Sequence, residues 1–165
     1  MPYTLGIDFG TESGRALLVD VADGREIATA VFASPHGVID QHLPGSDAPL
    51  PPDWALQDPR DYLEVFRHTI PAVLKESGID PREVIGLGVD FTSCTILPTK
   101  ADGTPLCVLP EYSGNPHAWV KLWKHHASQP QADQITETAR RMNQAWLNRY
   151  GGKISSEWLF GKALQ

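Results

Sequence analysis

The sequence predicts an α/β domain, a mixed five-stranded sheet with flanking helices, and three observations predict it. Residues 3–8, 15–20 and 26–32 are short, largely apolar runs with tight turns between them, as in an antiparallel meander. An amphipathic helix then opens at Asp58-Pro59. Residues 84–90, Val-Ile-Gly-Leu-Gly-Val-Asp, form a nearly all-apolar strand of the kind found at a sheet centre covered on both faces.

The elements follow in order. Asp23-Gly24 marks the turn between the second and third strands. Residues 35–59 hold six prolines and little periodicity, which reads as an irregular excursion and not as a linker between domains. In the first helix Leu63, Phe66, Ile70, Val73 and Leu74 recur on one face, Gly78 closes it, and Pro71 predicts a bend or a gap in its bonding. Residues 95–98 and 106–109 flank Ala101-Asp102-Gly103 as another hairpin. The remainder reads as helical: Asn115-Pro116 caps a segment bearing Trp119, Leu122, Trp123 and His126, Pro130 starts another, and Ser155 caps a last one with Trp158, Leu159 and Lys162. That last helix runs to Gln165 without a stop signal, so the chain is expected to be part of a longer one.

Composition narrows the function. The 165 residues suffice for a core and suggest one domain. No apolar run approaches the length of a membrane span, and no basic segment precedes an apolar stretch at the N-terminus, so neither a membrane nor a secretion signal is expected. A net charge of −6 argues against nucleic acid. Cys94 and Cys107 lack metal-ligand spacing, and His125-His126 lacks a third ligand nearby. A cytoplasmic location fits this usage.

The loop Asp8-Phe9-Gly10-Thr11-Glu12-Ser13-Gly14-Arg15 is chemically unusual for a hairpin. Gly10 and Gly14 permit close backbone approach, and the loop N–H groups with the Thr11 and Ser13 hydroxyls suit phosphate oxygens. Asp8, at a strand end, suits Mg²⁺ held through water, because that small ion keeps much of its hydration shell. Arg15 either adds charge toward a phosphate or pairs with Asp20 or Glu12. The plain alternative is a hairpin whose glycines only turn the chain.

Several stretches together resemble the FGGY family of carbohydrate kinases: GIDFGTESGRAL at 6–17, QDPRDY at 57–62, GVDFTSCTILPTKADGTPL at 88–106, LWKHH at 122–126 and YGGKISSEWLFGKAL at 150–164. They cover the chain in order. The resemblance implies the ribonuclease-H-like fold of the actin-like ATPases, with this chain as the sugar-binding N-terminal domain that carries the first phosphate loop, incomplete at its C-terminal end. It implies ATP and Mg²⁺ as cofactors, with Asp8, Gly10, Thr11, Ser13 and Arg15 at the phosphates. Glu12 stands where the family commonly has Thr or Ser; its charge would repel a triphosphate, so it is not counted among those contacts.

The resemblance further implies phosphorylation of a terminal sugar hydroxyl, O5 of L-ribulose above the alternatives of another ketopentose, a pentitol or glycerol. A non-catalytic, nucleotide-sensing actin-like scaffold is the alternative from another class. Ser93 and Cys94 match positions that meet sugar hydroxyls, and Trp123 and Lys124 match an aromatic wall and a polar group at the sugar. Taken alone, Cys94 is ordinary packing and the tryptophan stripe an ordinary helix face. No residue here qualifies as the general base, and Asp90 is not the base by resemblance. The base and the adenosine site belong to a missing C-terminal domain of the same chain, so these 165 residues alone are expected to be inactive. The apolar residues near Trp158, Leu159 and Phe160 favour self-association, a homodimer among the outcomes.

Overall fold

Apolar alternation along the first thirty residues produces three antiparallel strands, β1 (Tyr3–Phe9), β2 (Ser13–Asp20) and β3 (Glu26–Ala33). The computed structural model describes all 165 residues, and it groups them into two units: Met1–Val38 with Asp58–Thr92, and Ile39–Gln57 with Ser93–Gln165.

The first unit is a four-stranded mixed sheet in the order β3-β2-β1-β5, where β5 (Val84–Phe91) runs parallel to β1. Helix α1 (Pro59–Ser77) lies over β2 and β3 and supplies the right place for the core: Leu5, Ile7, Ala16, Leu18 and Ala28 face Val65 and Val73. Asp58 caps α1 by accepting from the Arg60 N–H at 2.9 Å, and Gly78 ends it at φ 65°. The helix is continuous through Pro71, which is exposed. Its buried stripe is Asp61, Val65, Thr69 and Val73, with Phe66 and Ile70 beside it; Leu63, expected on that face, is exposed.

Two expectations about the sheet are corrected. It has four strands, not five, and β5 is an edge strand, not a covered centre. Ile85, Leu87, Val89 and Phe91 are 51–68% exposed. β5 points its large side chains to the α1 side of the sheet, in register with Leu5, Ile7 and Phe9, but α1 covers β2 and β3. An apolar run states that a strand wants cover; it does not state which element provides it.

The second unit contains the proline-rich excursion, which packs and does not dangle. Ile39, Leu43, Trp54 and Leu56 join Cys107, Ala118 and Trp119 in one buried cluster. A short β4 (Leu56–Gln57) pairs with β6 (Val120–Lys121). The segment expected to be helical around Trp119 is therefore a single 3₁₀ turn, Pro116–Ala118, followed by β6. Its N-cap is as expected, with Asn115 accepting from the His117 N–H at 3.0 Å. The hairpin at 95–109 is short: the Lys100 N–H donates to the Thr104 carbonyl at 2.9 Å, Thr99 bridges Pro105 and the Leu106 N–H donates to the Pro98 carbonyl at 3.0 Å, while residues 106–108 are 3₁₀. Helix α2 (Gln129–Arg141) begins around Pro130 as predicted, and a short α3 (Leu159–Leu164) follows the Ser155 turn instead of starting at it. Cys94 and Cys107 form no disulfide. No helix is long and apolar enough to cross a membrane.

Candidate functional site

The β1–β2 loop is anchored on both sides. The Phe9 ring packs edge-on against Tyr62 and Phe66 of α1 at 5.7 and 5.1 Å between centroids. On the other side of the loop, Gly14 passes so close to α1 that an added Cβ would lie 2.4 Å from Val65 Cγ1. Only glycine fits there. Within the loop, the Gly10 N–H donates to the Ser13 carbonyl at 2.9 Å, and the Ser34 N–H donates to the Glu12 carbonyl at 2.8 Å. The Gly10 amide thus closes the turn, which leaves any phosphate to the other groups of the loop.

Asp8 and Ile7 point to opposite faces, as strand alternation requires. Ile7 is in the core, whereas Asp8 is half-exposed on the face away from α1. The register sets Arg15 directly across from Asp8, and Arg15 Nη1 lies 3.2 Å from Asp8 Oδ2. Neither Asp20 nor Glu12 is its partner; the cross-strand register decides the pairing. Arg15 Nη2 also donates to Ser13 Oγ at 3.3 Å. Asp90 is the register neighbour of Asp8 on β5, and its carboxylate accepts from the Phe91 N–H at 2.9 Å. A shallow hollow of about 360 Å³ on this face is lined by Gly6, Asp8, Arg15, Leu17, Gly88 and Asp90.

A hydrated Mg²⁺ needs one or two carboxylates and completes its octahedron with water and phosphate oxygens. The exposed Asp8 carboxylate fits that requirement, with Arg15 as the cation that would have to release it.

The second unit holds the other predicted residues. Ser93 is exposed, and Cys94 is half-buried in the left-handed region at φ 62°. Trp119 and Leu122 are core residues, with Trp119 Nε1 donating to the Ser113 carbonyl at 3.0 Å. Trp123 is 40% exposed and Lys124 half-buried. What joins these two segments is Lys162, which the sequence places in the last helix. Its ammonium is 1% exposed and donates to the carbonyls of Cys94 (2.7 Å), Leu122 and Trp123 (3.3 Å). Burial lowers its pKa to about 8. A lysine inside an otherwise apolar helix turn was the available signal.

Two further buried bases lie in this unit. Lys121 Nζ donates to the Lys162 carbonyl at 3.0 Å and sits 5.9 Å from the Trp54 ring, and burial brings its pKa to about 8. His125, fully buried, accepts the Ala55 N–H at Nδ1 (3.2 Å), which makes Nε2 the protonated nitrogen that donates to Gln165 Oε1 at 2.8 Å. Burial lowers its pKa to about 4.

No family model matches the chain. Among solved structures, a xylulose kinase from Brucella ovis superposes with a TM-score of 0.67 at 20% identity, covering 94% of this chain and 27% of that one. A gluconate kinase from Lactobacillus acidophilus gives a TM-score of 0.58 at 16% identity over 86% of this chain and 23% of that one. The chain therefore shares the fold of the matching part of these sugar kinases. In sequence, the chain is 56% identical over 163 residues to a ribulokinase from Halalkalibacterium halodurans, 58% identical over 163 residues to one from Geobacillus thermodenitrificans and 54% identical over 164 residues to one from Mycolicibacterium smegmatis. Each match takes in 99% of this chain and 29% of the relative. The chain is thus similar to ribulokinases along nearly all of its own length, and it spans about 29% of the length of the curated relatives it matches.

Proposed function

We propose that this chain is the part of a cytoplasmic ribulokinase that carries the first phosphate loop and one wall of the sugar site. The whole protein would transfer phosphate from MgATP to O5 of L-ribulose, a step of L-arabinose catabolism. The single observation that carries the reading is 54–59% identity to ribulokinases along nearly the whole chain. Bound ATP would supply the phosphoryl group and Mg²⁺ the charge that neutralises it.

The chain's own residues then divide the work. Asp8 would hold the water shell of the cation, and Thr11 and Ser13 would offer hydroxyls and amides to phosphate oxygens. Arg15, half-exposed across the strand pair, would exchange its bond to Asp8 for one to phosphate. Gly10 would contribute by shaping the turn, since its own amide is used inside it. In the other unit, Trp123 would face the C–H side of the sugar, while Ser93 and Lys124 would donate to hydroxyls. Cys94 would contribute through its backbone. No side chain of this chain is assigned as the base that accepts the O5 proton.

The test is ADP release by the complete protein in MgATP with L-ribulose, compared with xylulose, ribitol and glycerol. Turnover with L-ribulose at a kcat/KM well above the others is expected. Preference for another polyol would keep the kinase and change its substrate. ADP release with none of them would leave the nucleotide-sensing scaffold.

A further inference from the structure

We propose that Lys162 is a positioning residue of the sugar site, tying the Ser93-Cys94 turn to the Trp123-Lys124 segment so that the groups on both stand at a fixed separation. The inference rests on the sugar-kinase reading above.

An ammonium has three N–H donors, and Lys162 directs them at three backbone carbonyls, those of Cys94, Leu122 and Trp123. The side chain is 1% exposed, and no carboxylate forms an ion pair with it. A methionine would fill the same space without the cost of desolvating a charge, so packing alone does not account for lysine. The carbonyls are what it serves. One belongs to Cys94, a non-glycine residue at φ 62°, a conformation that persists only where surrounding bonds over-determine it. The other two belong to the residues just before Lys124.

The lysine is itself held. Its own carbonyl, in α3, accepts from Lys121 Nζ on β6 at 3.0 Å. Burial is the main influence on its pKa and, with Lys121, lowers it, while Glu157 acts the other way; the outcome, about 8, leaves it mostly charged at neutral pH. The arrangement therefore links three chain segments through one cation, with two of them carrying the residues assigned to the sugar.

The experiment uses the complete kinase. Lys162→Met is expected to raise the KM for L-ribulose roughly tenfold or more, as misplacement of binding groups does, while the KM for MgATP stays within about twofold. The same variant is expected to speed maleimide modification of Cys94, read by mass spectrometry, because its turn has lost its anchor. Lys121→Met, which frees the Lys162 carbonyl, is expected to lower thermal stability and to raise the sugar KM in the same direction by a smaller factor. A sugar KM equal to that of the parent, or an equal rise in both KM values, overturns the proposal. If Lys162→Met does not fold, Lys162→Arg carries the same comparison: a raised sugar KM alone supports it and parent-like kinetics overturn it. A parent enzyme without activity on any sugar overturns the sugar reading itself, and Cys94 reactivity then reports on the tie separately.

Discussion

Arg15 Nη1 stands 3.2 Å from Asp8 Oδ2 across the β1–β2 pair, and both side chains are roughly half-exposed. An exposed pair of this kind contributes about 0–1 kcal/mol, so stability gives little reason for it. On the proposed reading the pair would act as a charge switch: Arg15 would hold Asp8 until a phosphate took the guanidinium. In the complete kinase, Asp8→Ala is expected to lower kcat by about a hundredfold or more, the scale seen when a preorganised charge contact is lost. The KM for sugar should stay within about twofold. Arg15→Met should instead raise the KM for MgATP and leave unfolding free energy within about 0.5 kcal/mol. Steady-state kinetics with urea unfolding check both, and parent-like kcat in the Asp8 variant would remove that residue from the cation.

Gly14 makes a prediction about the scaffold of that loop. A Cβ there would sit 2.4 Å from Val65 Cγ1 and 2.5 Å from Cγ2, far inside contact distance. Gly14→Ala should destabilise the chain by about 1–3 kcal/mol, the usual range for overpacking a core. Val65→Ala opens a gap at the same point and is costly by itself, by about 2 kcal/mol. Combined, the two changes fill one another's fault, so their joint cost should be smaller than the sum by at least about 0.5 kcal/mol. Simple additivity in urea unfolding would mean that Val65 and the strand shift independently.

These two cases show where sequence reading succeeds and where it stops. Local chemistry was legible: the Asp58 and Asn115 caps, the Gly78 stop, the Asp23-Gly24 turn and the β1–β2 hairpin all form as the residues dictate. Partners fixed by register or by distant segments were not. Arg15 meets Asp8 because of strand register, and Lys162 reaches Cys94, 68 residues away in sequence. The Trp119–His126 segment carried a helical spacing, yet Val120 and Lys121 pair with Leu56 and Gln57 of the excursion. That pairing depends on the proline-rich stretch packing as it does, which no periodicity reports. β5 failed for a related reason: its apolar run describes a demand for cover, and α1 meets that demand over other strands.

His125 predicts an acid-sensitive second unit. Its ring is fully buried, with Nδ1 accepting from Ala55 and Nε2 donating to Gln165, so protonating Nδ1 would break the first bond and charge a buried group. Burial holds its folded pKa near 4, against about 6.5 when unfolded. The unfolded chain therefore takes up the proton first as pH falls. Stability from this group is complete above about pH 6.5, declines between about 6.5 and 4, and is level below. At pH 5 the loss should be of order 2 kcal/mol. Urea unfolding at pH 7.5 and 5, compared with His125→Gln, checks it: the variant should be less stable at pH 7.5 but lose less between the two. Equal losses would assign the acid sensitivity to other groups.

Lys124 carries the sharpest test of the sugar wall because its ammonium does nothing for the fold. Unlike its neighbours Lys121 and Lys162, whose ammoniums hold backbone carbonyls, it is half-buried and makes no hydrogen bond or ion pair within the chain. A lysine next in sequence to the 40% exposed Trp123, with its charge unused within the chain, suits a donor to a hydroxyl. Lys124→Ala in the complete kinase should therefore leave the melting temperature within about 2 °C, since no buried group loses a partner. Loss of a charged donor to the sugar corresponds to about 1.5–3 kcal/mol, or roughly a ten- to hundredfold rise in the KM for L-ribulose. The KM for MgATP should not change. This pattern differs from that of Lys162→Met, which should lower melting temperature and raise sugar KM together, because it removes the anchor and not the contact. Thermal melts and two substrate titrations on the two variants separate the roles. A Lys124 variant with parent kinetics and a lower melting temperature would assign the residue to packing and take it out of the sugar site.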